Sequence, residues 1–236
     1  MPRSTSISKR RGLTRNAIVA RALEIGDAEG LEAVSLRRLA ADLGVTPMAL
    51  YRHVKDKRDL INAMTEAVLE GFDLTLGFQP SMPWTDRLRQ ALQNFRDQME
   101  ARPLALPLAI AYSGEGPASF WRMNETLLGI LLGAGFSRRH AVVLIRILSN
   151  LVSGYLLLMR QGRIEIMQEL DAQGWDLLRR RTELAQLSLP RDRFPHSVAS
   201  AHEVADVWLS DPDQWWPDTL DLIVYGLDKL LERSRA

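Results

Sequence analysis

Arg37, Thr46, Pro47, Met48, Ala49 and Arg52 are the residues whose types and spacing can do chemistry, and that chemistry is recognition. An arginine can clamp guanine through two acceptors, and small apolar groups can touch the methyl of thymine, so the set suits the major groove of duplex DNA. The local elements have to present it. Leu36, Leu39, Ala40 and Leu43 repeat at i, i+3, i+4, i+7, which predicts a one-sided helix with Ser35 as its N-cap. Gly44 supplies the left-handed turn that ends it. Thr46 then caps a second short helix with Pro47 at its tolerated first position, and Leu50 and Val54 lock that helix onto the first. At about 100° per residue, Met48 and Arg52 point away from Leu50, leaving a short, rigid reading surface. The pair is a helix-turn-helix. For Arg37 a plain phosphate contact is the alternative to base reading.

Other chemistries lack their residues. No two histidines have metal-ligand spacing on one helix, and His202-Glu203 is followed by Asp206 where a zinc motif needs a second histidine. There is no Glu-x-x-His pair and no Gly-rich phosphate loop after a strand; Gly129 to Gly133 reads as close helix packing. Asp206, Asp211, Asp213, Asp218 and Asp221 sit near turns and helix starts, where carboxylates favour the helix dipole. With no nucleophile and no paired acid and base, the chain reads as a non-enzyme with no cofactor and no metal.

The 236 residues carry a net charge of +1, unevenly: residues 1–60 hold 12 Lys and Arg against 7 Asp and Glu, and the remainder is acidic. A positive segment that coincides with the helix-turn-helix is what a phosphate-binding module requires. Cysteine is absent, no run of apolar residues reaches the length of a membrane span, and residues 1–11 lack the apolar core of a signal peptide. The expectation is a cytoplasmic protein with no membrane partner.

Along the chain, a basic tail (1–12) has no periodicity and either lies on DNA backbone through Arg3, Lys9, Arg10 or Arg11 or is merely solvated. A first helix starts at Thr14, with Leu13 and Ile18 as a hydrophobic staple, and stops at Gly30. A fourth starts at Asp56 and runs through Phe72 as a long connector. Gly77 to Pro83 breaks the pattern. Helical periodicity then covers 85–101, 104–112, 118–134, 138–160, 163–187, 197–209 and 217–233, with no convincing strand. The fold class is all-α: a three-helix DNA-binding domain at 1–55 and a helical regulatory and dimerisation domain at 56–236.

The stretch from Leu13 to Leu60 resembles the DNA-binding domain of the TetR family of one-component bacterial regulators. The resemblance rests on Glu29-Gly30-Leu31, Arg37-Arg38-Leu39-Ala40, Leu43-Gly44-Val45, Leu50-Tyr51 and His53-Val54 ahead of Lys57. More loosely, Trp84, Phe95, Gly135-Phe136-Ser137 and Tyr225 to Lys229 resemble the regulatory domain of the tetracycline-repressor branch. The resemblance implies phosphate contacts by Ser35, Tyr51, His53 and Lys57. For Tyr51 the alternative is packing on the preceding helix, and for His53 a capping or surface role. Tetracycline-sensing relatives hold a magnesium-drug chelate through a histidine and an asparagine. Here the matching positions are apolar, near Leu108 and Ala91, which points to a metal-free effector.

About 150 apolar-rich residues behind a DNA reader imply a homodimer and a small-molecule effector. Candidate pocket residues are Phe95, Met99, Trp121, Leu127, Asn150, Tyr155, Met159 and Trp175, each also compatible with plain core packing. Candidate dimer contacts are Ile145, Leu148, Val152 and Leu156 with Ile223, Leu227 and Leu230, a pattern an intramolecular bundle would share. The expected function is a repressor released from a palindromic operator by a mostly apolar effector that moves the fourth helix. The alternatives are a regulator controlled by a protein partner or by no ligand and, from another class, a helical enzyme or carrier.

Overall fold

The computed structural model describes residues 13–112, 118–163, 171–209 and 212–235, and every regular element among them is a helix. The basic tail therefore lies outside the described residues, as do Gly114, Gly116, Pro117 and the beginning of the segment expected to be helical from 163. The chain divides into two compact units, Met1–Leu74 with Asn94–Thr126 and Thr75–Gln93 with Leu127–Ala236.

The first unit opens with α1 (Arg15–Glu29), capped by Thr14, whose hydroxyl accepts from the Ala17 amide at 3.2 Å. Gly30, at φ 87°, ends it and leads into a short 3₁₀ turn. Next come α2 (Leu36–Asp42), α3 (Pro47–Tyr51) and α4 (Lys57–Leu69). Ile18, Ala22, Leu39, Leu50, Leu60 and Met64 are fully buried and form the core on which these four helices meet. Burial of each of these side chains other than Ala22 is worth on the order of 1.5–3 kcal/mol.

The fourth helix is shorter than its periodicity predicts. It ends at Leu69, where the Arg102 guanidinium donates to the Val68 carbonyl at 2.9 Å and so satisfies a last-turn acceptor. Gly71 permits that approach, since a Cβ there would meet Arg102 at 3.2 Å. Phe72, expected inside the helix, instead turns under the same guanidinium, 4.9 Å from the ring centre. The Gln98 side chain pairs with both backbone groups of Asp73, at 2.8 and 2.9 Å, fixing the exit loop. The unit is completed by α6 (Ala105–Ala111), which packs on α4, and by parts of two helices that continue into the second unit: α5 (Trp84–Glu100) and α7 (Ala118–Ala134).

The second unit holds the rest of α5 and α7 with α8 (Arg138–Arg163), α9 (Ala172–Leu187), α10 (Pro195–Ala199), α11 (Ala201–Leu209) and α12 (Pro212–Arg235). The segment expected at 197–209 is thus two helices, with a turn at Ser200, and the last helix begins five residues earlier than expected and keeps Pro217 inside it. Trp216 is fully buried and donates its indole N–H to Gln93 at 2.6 Å. Tyr155 packs at 5.2 and 4.6 Å from the rings of Trp215 and Trp216, tying α8 to α12.

Candidate nucleic-acid interface and regulatory surfaces

The turn between α2 and α3 forms as its residues dictate. Gly44 takes φ 64°, and the amides of Gly44 and Val45 close back onto the carbonyls of Ala41 and Ala40 at 3.2 and 2.9 Å. Ser35 and Thr46 each cap their helix, accepting from Arg38 and Ala49 amides at 3.2 and 3.3 Å. Leu39 and Leu50 have no exposed surface, so α3 sits on α2 in one orientation. Helix α3 stops at Tyr51; Val54 lies beyond it and is nevertheless buried.

That seat leaves the expected reading surface in the open. Met48 is 70% and Tyr51 51% exposed, so Tyr51 does not pack away against α2. Arg37, Thr46, Pro47, Arg52 and Lys57 are exposed, whereas Ser35, Ala49 and His53 are half-buried.

The cations of the unit divide into two groups. Arg38 is held by Glu29 at 2.9 Å and Asp42 at 3.1 Å, and Arg21 by Glu24 at 2.7 Å and Asp42 at 2.9 Å. Arg21, then Arg38, hold Asp42 below the usual carboxylate range. Arg15 makes a two-pronged bridge to Asp59 at 2.6 and 2.9 Å and donates to the His53 carbonyl at 2.7 Å. Asp59 also accepts from the Lys55 amide at 2.8 Å. Arg15 first, then that amide, lower Asp59 from 3.8 to about 2. This clamp joins the starts of α1 and α4 to the end of α3 and was not anticipated from sequence, because its partners lie 44 residues apart. By contrast, no described carboxylate pairs with Arg37, Arg52 or Lys57. The scaffold consumes one set of cations and leaves the other without a described carboxylate partner.

The expected dimer contacts lie mostly inside a single chain. Ile145, Leu148, Val152, Leu156 and Leu227 are at most 8% exposed in a single chain, and Ile223 is half-buried. They face the protomer's own interior; of that set only Leu230, 42% exposed, looks outward. The opposite faces carry the uncovered apolar groups: Val143, Ile147 and Leu157 on α8 and Leu222 and Tyr225 on α12, between 39 and 74% exposed. A helix with apolar residues on two sides also passes for a membrane span. Residues 138–157 have mean hydropathy 1.5 and are one-third buried, against the expectation that no segment would qualify. Nor does Gly129 or Gly133 pack closely within the protomer, since a Cβ at either would meet nothing within 4 Å.

The candidate pocket residues are divided between the units. Phe95 and Met99 lie in the first unit, half-buried and buried, and Leu127 and Tyr155 are buried in the second. Trp175 is half-buried on α9, and the Met159 side chain lies outside the described residues. Trp121 is 57% exposed, against Phe120, and Asn150 sits among the outward residues of α8. Tyr155 contacts Trp215 and Trp216, a cluster that sequence did not reveal because Pro217 made that segment read as a turn. Leu108 and Ala91, near the positions that the family resemblance gives to a chelating histidine and asparagine, are fully buried.

Residues 18–64 match the family described as bacterial regulatory proteins, tetR family, and residues 78–231 the family described as tetracyclin repressor-like, C-terminal domain. Over 224 residues, 92% of each sequence, the chain is 30% identical to tetracycline repressor protein class C of Escherichia coli. Apo ActR of Streptomyces coelicolor has the same fold with a TM-score of 0.74 at 26% identity, covering 94% of this chain and 98% of that one. ActR in complex with actinorhodin matches at 0.74 and 25% identity over 93% and 99% of the two chains.

Proposed function

The chain belongs to the TetR family and is a ligand-responsive, DNA-binding transcriptional regulator, from which we propose that it is a cytoplasmic repressor acting as a homodimer on a near-palindromic operator. The observation that carries the DNA-reading part is the sorting of cations: Arg15, Arg21 and Arg38 are spent on carboxylates, while Arg37, Arg52 and Lys57 flank an exposed α3 without such partners among the described residues. In this reading Ser35, Tyr51, His53 and Lys57 bond phosphates and position α3. Arg37, Thr46, Pro47, Met48, Ala49 and Arg52 meet base edges.

A single α3 spans only a few base pairs, so useful specificity needs two. The second copy joins through the outward faces of α8 and α12, where Ile147 and Leu222 are 56 and 74% exposed. Gly154 and Gly226 lie on those helices with open space where a Cβ would stand, which lets a neighbouring helix come close. The effector is a small, mostly apolar, metal-free molecule bound in the helical bundle, where Tyr155, Trp215 and Trp216 supply aromatic surface. ActR, solved with actinorhodin, supports a small-molecule effector. In this reading effector binding moves α4, changes the separation of the two α3 helices and releases the operator.

The test is a gel shift with DNA flanking the protein's own gene at several salt concentrations, followed by binding-site selection with wild type and Arg37→Ala. Retarded duplex with a near-palindromic consensus is expected. Arg37→Ala should relax one position per half-site, at a cost of about 1–3 kcal/mol there. An unaltered consensus would remove Arg37 from the base readers, and the absence of any shifted duplex would defeat the reading.

A further inference from the structure

Within the first unit, α1 and α4 leave between them a cleft of about 660 Å³, bordered also by Tyr112 after α6 and Ala118 at the start of α7. That size suits a small organic molecule. It is open because its helix faces carry small side chains: Ala20 on α1, and Ala63 and Ala67 one turn apart on α4. Val19 and Leu23 add apolar wall from α1.

The charge of the cleft has one sign left over. Arg15 at its border is neutralised by the two-pronged bridge to Asp59. Two carboxylates also line it, Glu66 on α4 and Glu70 four residues on, at the C-cap of that helix. Glu66 is engaged: it accepts from the Ser119 hydroxyl at 2.8 Å and from the Ser119 amide, and so caps the first turn of α7. Glu70 is exposed, and no described cation lies against it. Apolar walls, the tyrosine Tyr112 and Glu70, a carboxylate against which no described cation lies, complement a molecule with a bulky apolar body and a single positive charge.

We propose that this cleft is a binding site for amphiphilic monocations, separate from the effector site in the bundle. Most of its wall comes from α1 and α4, which lie before residues 78–231 that match the tetracyclin repressor-like C-terminal domain. An occupant would place its charge beside Glu70, four residues from Glu66, the carboxylate that joins α4 of the reader to α7.

The experiment is calorimetric titration of the full chain with tetraphenylphosphonium chloride and with sodium tetraphenylborate, which have nearly the same shape and opposite charge. The phosphonium should bind at least about tenfold more tightly than the borate, and Glu70→Gln should weaken it by about tenfold, as expected of one partly solvated charge pair. Ala67→Phe, which fills the cleft from an exposed helix position, should abolish binding while helical content stays unchanged. Equal affinity for both ions, phosphonium binding unaltered in both variants, or no heat from the phosphonium at millimolar concentration would each overturn the proposal. None of these outcomes bears on operator recognition, so this site and the repressor reading fail separately.

Discussion

Helices α3 and α8 solve the same problem, how a helix shows one face and hides another, with opposite amounts of information. Helix α3 has five residues and one apolar anchor, Leu50, so hiding that residue leaves only one surface to present. Helix α8 has 26 residues and apolar groups on both sides: Leu148 and Val152 within the protomer, Val143 and Ile147 outside it. Periodicity locates the two stripes but does not say which faces inward. An amphipathic pattern fixes orientation only when the helix has a single burial to make, and a helix that must bury itself twice needs the packing of its own chain to break the tie.

The sharpest way to break the comparison is to charge each face of α8 in turn. Leu148→Glu puts a carboxylate at a site 2% exposed in one protomer and should cost several kcal/mol, giving a large loss of melting temperature whatever the oligomeric state. Ile147→Glu, one residue away but 56% exposed, should leave helical content intact while separating the copies. Equal loss of fold in both variants would undo the assignment of faces.

On α3 the corresponding pair is Leu50 and Met48. Leu50→Ala should destabilise by about 2–5 kcal/mol, measured by denaturant unfolding. Met48→Ala, at 70% exposure, should stay within about 0.5 kcal/mol of wild type while altering the selected DNA sequence.

The clamp behind α3 gives a smaller, pH-dependent effect. Asp59 falls from 3.8 to about 2 on folding, so its contribution is complete above the unfolded value and is lost as pH drops through 4 towards 2. Since Arg15 is 42% exposed, solvent screening reduces the contribution to about 1–2 kcal/mol. Asp59→Asn should show that deficit at pH 7 and converge with wild type near pH 2; a constant difference across that range would contradict the assignment.

The smallest expected change concerns a single phosphate contact. Lys57→Ala should weaken specific and random DNA alike and flatten the salt slope by about one unit. Arg38→Ala, which removes a cation already held by Glu29 and Asp42, should leave the slope unchanged.

Much of the reader was legible because its signals are local. Ser35, Gly44, Thr46 and Pro47 each fix a cap or a turn within three residues of themselves, and all four act as their types predict. Where the partner is distant, sequence was silent. Nothing near Arg15 announces Asp59, and nothing near Phe72 announces that Arg102 will end α4 before it. The aromatic cluster on α8 and α12 was only half legible: Tyr155 stood out but its neighbours Trp215 and Trp216 did not, because Pro217 marks a boundary in isolation yet is held inside α12.

The central claim, that two copies meet through the outward faces of α8 and α12 and present two α3 helices to one operator, is tested most directly by sedimentation at micromolar concentration, free and on the selected duplex. The account predicts a dimer in both states for wild type, and for Ile147→Glu a folded monomer with little operator affinity. A wild-type monomer bound singly to DNA, or an Ile147→Glu protein that sediments as a dimer, would contradict it.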